Sequence, residues 1–503
     1  MSRPTAAAGP CTTASHGVRH ARPPAPPAPR LLPLAAPLFV EMLLGMAMGL
    51  LGTALAARLG DASGAAFALC GELSAMLFVL FRVVGAGVSV VVSQALGGGR
   101  RDEAHRTARA SLGAATWLGL ICLVLAAAAA GPMLRLMNTP PEVLPLAVPL
   151  LRWLAITLLL DAWNATLGSV LRAHLQARTL LAITVTTQLT MLAMLLPAMH
   201  GAGTWPGWGL AGYPIALLAS QVLGLALLLA AWRLQLGLVP MLCDWWRWPR
   251  HTLAPVLHIG LPGAGENIAW RAGFVFSIAV VGQMGTAALA THAYVMQIVG
   301  LVLLFGMVTG LSAEIVVGHM VGAGRLHEAH QLVQRVLARG LAVSLAAALA
   351  AASVGPWLLR CFTQDLYIIT LGSQVLWLLL VLETGRTFNL VLINALRATG
   401  DASFPLRAGL GSFVLVLGAG SWRLGGCHGL QGALVATGLA GRGPAHAPAA
   451  QAPAGAGRSL TLRDQAKAAL KPRESGRSCP PPRDHSPGRS PGARGCAGQS
   501  PCR

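Results

Sequence analysis

GGGRRDEAH at 97–105 and GAGRLHEAH at 322–330 are one phrase written twice, 225 residues apart. At that same shift the rest of the chain falls into register. Pro37 lands on Pro262, Glu41 on Glu266, Gly60 on Gly285 and Gly85 on Gly310. Farther along, NATLGSVLRA (164–173) lands on NLVLINALRA (389–398), still without a gap. A register kept that long marks two copies of one structural unit in a single chain.

The apolar runs show what each copy is made of. Residues 36–57, 73–96, 110–130, 210–232 and 273–304 are each long enough to cross a bilayer, which takes about 20 residues of helix. Charged residues make up only 11% of the chain, against about 25% in soluble domains. Helices are expected at 34–58, 66–95, 110–130, 145–171, 179–199, 210–233, 256–282, 288–318, 338–354, 367–396, 404–421 and 427–440. The fold class is therefore an all-α polytopic membrane protein of about twelve transmembrane helices in two six-helix lobes. Six is even, so both copies enter the membrane in the same direction, as parallel repeats about an axis along the membrane normal. A substrate site is expected between them.

The expected divisions are a basic leader over 1–30, an N-terminal lobe over 31–233, a linker over 234–255, a C-terminal lobe over 256–440 and a tail over 441–503. Leu31–Ala57 is longer than the apolar core of a signal peptide, about 7–15 residues, and reads as the first permanent helix. Trp245, Trp246 and Trp248 in the linker suit the headgroup layer. The last two helices are short and rich in glycine. The tail, rich in Pro, Arg, Gly and Ser, has too little apolar surface to fold, and an altered reading frame near the end of the gene is one account of it.

The formal charge is +20, nearly all from arginine. The arginines cluster in alternate connections, such as Arg100, Arg101 and Arg106, then Arg172 and Arg178, then Arg325 and Arg335, then Arg397 and Arg407. That pattern follows the positive-inside rule and places the N-terminus in the cytoplasm. It also argues against nucleic acid as a partner. The GC-rich codons behind Arg, Ala, Gly and Pro point to a bacterium, and so to its inner membrane. The nine cysteines form no C-x-x-C pair, so neither a zinc site nor a redox framework is expected. No phosphate loop G-x-x-x-x-G-K-[ST], no H-E-x-x-H and no G-x-S-x-G is present. Enzymatic chemistry and an organic cofactor are not expected. The expected partners are the bilayer and a small organic substrate, with the chain acting as a monomer.

A charge inside a bilayer costs at least a few kcal/mol, which makes each one a functional candidate. Glu41 and Glu266 are repeat mates, each four residues, about one helical turn, after a proline. Glu383, Arg386 and Asn389 are spaced three apart, so Glu383 is expected to pair with Arg386. The repeat sets Asp161 against Arg386 and Asn164 against Asn389. Glu72, Arg271, His292 and Gln297 complete the polar set expected along a cavity. The structural alternative for each is a buried pair or satisfied polar group that only fixes helix contacts.

Five stretches resemble the multidrug and toxin extrusion (MATE) family of the MOP flippase superfamily. They are PLFVEMLLGMAMGLLGTALAARLGD (37–61), VSQALGGGRRDEA (92–104), IGLPGAGENIAWRAGF (259–274), VGHMVGAGRLHEA (317–329) and ETGRTFNLVLINALRATGDASFP (383–405). The resemblance covers roughly residues 33–410. It implies a secondary antiporter with two lobes around a V-shaped cavity, exporting organic, cationic or aromatic compounds in exchange for H⁺ or Na⁺. Family members often carry an aspartate in the first helix, where this chain has Leu51, Gly52 and Thr53. On that departure, ion coupling is expected in the C-terminal lobe, with Glu266 as main carrier and Glu383 and Glu41 beside it. The competing readings are a lipid-linked saccharide flippase of the same superfamily and a non-transporting product of a frame-altered gene.

Overall fold

The duplication reappears in the bounds of the helices. The computed structural model describes residues 30–412, apart from 138, 202–205, 283–285 and 361. The first lobe is built from α1 (Leu32–Arg58), α2 (Asp61–Gly97), α3 (Arg101–Ala128), the short α4 (Ala130–Leu136), α5 (Leu144–Ala173), α6 (Ala177–His200) and α7 (Gly212–Ala231). The second has α8 (Arg250–Gly282), α9 (Thr286–Gly322), α10 (Leu326–Ser353), the short α11 (Gly355–Arg360), α12 (Leu366–Thr399) and α13 (Ser403–Ser412). The bounds of α2 and α9 differ by 225 at both ends, and so do those of α3 and α10. Among the described residues, nine helices are long and apolar enough to cross a membrane. The leader, most of the helix expected at 404–421, the one expected at 427–440 and the tail lie outside the described residues.

Two helices begin earlier than their apolar runs. α3 starts at Arg101 rather than 110 and α10 at Leu326 rather than 338. Their first turns are polar, with Asp102 and Glu103 in one and Glu328 in the other. Acids there complement the positive end of the helix dipole, so these turns are helical for a reason that hydropathy does not register. The turns before them use glycine in the left-handed region, Gly99 at φ 75° and its mate Gly324 at 77°. After α12 the chain turns through Gly400 at φ 96°, whereas the mate after α5 is Leu175 at φ 62°, a conformation that costs an L-residue roughly 1–2 kcal/mol.

α2 and α9 form the centre. α2 packs on α3 and α5 of its own lobe and on α8 and α9 of the other; α9 packs on α10 and α12, and across the divide on α1 and α2. Lipid offers no hydrophobic drive between helices, so association depends on close fit through small residues. The closest fit is at the arginine-bearing end of the bundle. There a Cβ on Gly97 would overlap the main-chain carbonyl of His319, and one on Gly322 the carbonyl of Gln94. Gly97 and Gly322 are repeat mates, as are Gln94 and His319, so the local two-fold passes through this crossing. Gln94 Nε2 also donates to the Ala398 carbonyl at 2.7 Å.

The connection between lobes runs back along α3. The Trp245 ring meets Trp163 edge-on at 4.8 Å, and Trp246 meets Trp117 at 6.2 Å. Trp117 Nε1 donates to the Trp246 carbonyl at 3.1 Å. Gly113 lies so close beneath the Arg247 carbonyl that a Cβ would overlap it. Trp246, Trp248 and Leu242 remain exposed, the disposition expected of side chains at a headgroup layer.

A candidate ion site within the first lobe

Asp161, Ala165, Gly168 and Arg172 recur at intervals of four, three and four residues along α5. Residues so spaced share one helix face. That face lines an open cavity of about 440 Å³ bordered by α1, α5, α6 and α7, with Phe78 of α2. The cavity wall carries a directed chain of hydrogen bonds. Asn164 Nδ2 donates to Gln221 Oε1 and, at 3.1 Å, to the Gln221 carbonyl, while Gln221 Nε2 donates to Asp161 Oδ1. Both Gln221 amide groups are therefore engaged and aim its donor at the carboxylate. Asn164 Oδ1 is buried without a hydrogen-bond partner among the described residues. Thr184, Thr187 and Gln188 on α6 and Tyr213 on α7 add further oxygens and amide groups to the wall. A carboxylate held in this way, with neutral oxygens around it, can carry a proton or a desolvated monovalent cation.

The cavity ends, on the arginine-bearing side, at an ion pair. Arg172 in the last turn of α5 donates through Nη1 to Glu41 Oε1 at 2.7 Å, joining α5 to α1. The second lobe repeats it: Arg397 Nη2 donates to Glu266 Oε2 at 2.7 Å, joining α12 to α8. Sequence reasoning placed Arg172 and Arg397 among the loop arginines and missed these pairs. The signal was available in the repeat, since each glutamate precedes its arginine by 131 residues. Glu41 and Glu266 have the same partner type, distance and setting, so the geometry offers no reason to rank Glu266 above Glu41. Just past α5, burial, followed by the neighbouring His105, His319 and Arg101, holds the His174 imidazole below its ordinary range despite its bond to the Val170 carbonyl. His174 is thus neutral near pH 7 and adds no charge beside Arg172.

Glu383 pairs with Arg386 at 2.8 Å, as the spacing predicts, and Glu383 is fully buried. Asn389 follows one turn later on α12, half-buried. Arg271 on α8 pairs with Glu72 on α2, which makes these two expected cavity residues a single contact between the lobes. His292 is buried in α9, whereas Gln297 on the same helix is exposed, so the two do not share one environment. No cluster of metal-ligating side chains occurs among the described residues.

The lobes differ in charge where they match in position. Asp161 and Arg172 on the α5 stripe correspond to Arg386 and Arg397 on α12. Counted with their ion-pair partners, Asp161, Arg172 and Glu41 leave one net negative charge in the first lobe, whereas Arg386 and Arg397 are each balanced by Glu383 and Glu266 in the second. The wall of the second lobe that would correspond to α7 falls beyond residue 412, outside the described residues.

Comparison with known proteins agrees with this architecture. The chain is similar to the uncharacterized transporter YisQ of Bacillus subtilis, 27% identical over 376 residues, covering 75% of this chain and 83% of that protein. It is similar to the multidrug resistance protein PmpM of Pseudomonas aeruginosa, 24% identical over 389 residues, covering 74% and 78%. A crystal structure of MATE in the bent conformation superposes with a TM-score of 0.75 at 18% identity, over 82% of this chain and 91% of that one. The MatE family profile matches twice, over residues 37–196 and 262–420, one copy in each lobe. With more than half of its length in those two matches, the chain is a multi-pass membrane transporter belonging to the MatE family.

Proposed function

We propose that the protein exports organic, cationic or aromatic compounds from the cytoplasm across a bacterial inner membrane, in exchange for H⁺ or Na⁺. The arginine-bearing end faces the cytoplasm, following the positive-inside rule. Export alternates between a state in which the basic ends of α2 and α9 touch and one in which they part. Multidrug relatives and the doubled profile support the transport class. Coupling rests on one observation, the Asp161 carboxylate held by Gln221 in the cavity of the first lobe. Asp161 takes the place that the family's first-helix aspartate, missing at Gly52, would otherwise fill.

The test uses purified protein in liposomes with an imposed pH or Na⁺ gradient and a fluorescent organic cation. Asp161→Asn keeps the shape and the bond to Gln221 but cannot exchange a cation. Dye binding should persist while gradient-driven dye movement is lost. Normal gradient-driven movement by Asp161→Asn would remove the carboxylate from the coupling reaction.

A further inference from the structure

We infer that the Arg172–Glu41 pair is the cytoplasmic seal of the first-lobe cavity, the barrier that keeps the coupling cation from passing through without substrate. This rests on the reading of Asp161 as the coupling carboxylate. Asp161 and Arg172 stand on one stripe of α5, eleven residues apart, about 16 Å along the helix at 1.5 Å per residue. Both line the same cavity, as does Glu41. A cation leaving Asp161 toward the basic end therefore meets the Arg172 guanidinium before it reaches the cytoplasm. A guanidinium fixed beside such a path is an electrostatic barrier to protons and cations. Among the described residues, Glu41 is the only acid besides Asp161 that lines the cavity, and its Oε1 is occupied by Arg172 at 2.7 Å.

The placement of the pair supports a seal rather than a packing contact. α1 packs on α6, α2 and α9, and the ion pair reaches across the cavity from α1 to α5. Arg172 folds back along α5, its guanidinium 3.7 Å from where a Cβ on Gly168, one turn earlier, would stand. When α1 draws away from α5, Glu41 is released from Arg172 and becomes the next acceptor. A proton released by Asp161 to water in the cavity is then taken up by the Glu41 carboxylate near the basic end and passed on to cytoplasmic water, leaving Asp161 ionised; a sodium ion follows the same path.

The experiment measures leak, with no organic substrate present. Liposomes containing the protein are loaded with pyranine, a pH gradient is imposed, and its decay is followed; a parallel arm measures ²²Na⁺ uptake. Dye binding by the purified variants reports folding. Arg172→Ala and Arg172→Gln should dissipate one of the two gradients several-fold faster than the unaltered protein. Arg172→Lys, and the exchanged pair Glu41→Arg with Arg172→Glu, should restore the seal. If the alanine variant does not bind dye, the glutamine variant and the exchanged pair decide the matter. Dye-binding Arg172 variants that hold both gradients like the unaltered protein overturn the proposal, as does an exchanged pair that leaks as fast as Arg172→Ala. The double variant Asp161→Asn with Arg172→Ala separates this claim from the one beneath it. A leak that vanishes places Asp161 on the same path. A leak that persists upholds the seal while removing Asp161 as the coupling group.

Discussion

Adding one methyl group at Gly97 should shift the balance between the two transport states. The Cβ of Gly97→Ala would overlap the main-chain carbonyl of His319. Backbone cannot swing aside as a flexible side chain can, so relief requires α2 and α9 to separate at their basic ends. Overpacking of this kind costs roughly 1–3 kcal/mol. Only the state in which those ends touch bears the cost, which corresponds to a shift of about 5- to 150-fold toward the parted state. Gly322→Ala should act in the same direction, because its Cβ would meet the Gln94 carbonyl across the local two-fold. Gly45→Ala is the control, since nothing lies within 4 Å of the added carbon. Spin labels on cysteines at Asp102 and His327, exposed repeat mates in the first turns of α3 and α10, report the separation by pulsed electron resonance. The expected result is a second, longer distance population in Gly97→Ala and Gly322→Ala and none in Gly45→Ala. Distance distributions identical to the unaltered protein in both variants would refute the view that this crossing holds the basic ends together.

Removing Arg386 should destabilise the protein by about 3–5 kcal/mol, because the fully buried Glu383 would lose its ion-pair partner. Replacing both residues by leucine should come much closer to neutral. Denaturation in mixed micelles followed by tryptophan fluorescence compares the two, and equal losses would falsify the assignment of the effect to a stranded carboxylate. The orientation is checked in a cysteine-free background. Glu142→Cys, in the turn before α5, should react with an impermeant maleimide on intact cells, and Arg101→Cys only after permeabilisation; the reverse pattern would invert the topology.

The repeat made most of the fold legible, because a duplicated register constrains helix positions that hydropathy alone places only loosely. It failed where polarity hides a helix, as in the first turns of α3 and α10. It also gave no sign of α4 and α11, which sit where plain connections were expected. Among the candidate residues, Glu383 and Arg386 were readable because their contact lies within one helix turn. Glu41 and Glu266 were identified, but their partners were not, since a contact between helices depends on rotation about each helix axis, which spacing along one helix does not reveal. Arg172 and Arg397 were misread for a related reason: an arginine in the last turn of a helix looks the same in sequence whether it faces the cytoplasm or folds back over a cavity. Asp161 was expected in the polar cavity set, as the mate of Arg386, but not as an ion carrier. Its bond to Gln221 spans 60 residues, and nothing local foretells it.

The connecting segment also bears on how the halves can move. It is not slack rope: Trp245 and Trp246 are pinned to Trp163 and Trp117 of the first lobe, and the Arg247 carbonyl rests on Gly113. From there Trp248 and Pro249 alone separate that anchorage from the start of α8 at Arg250. The foot of α8 is thus moored to its neighbour, and the second half can turn about that corner but not slide away from it. Of the many ways two bundles might rearrange, such a mooring leaves chiefly a swing, like a gate on a single post, with the greatest travel in the helices farthest from Pro249.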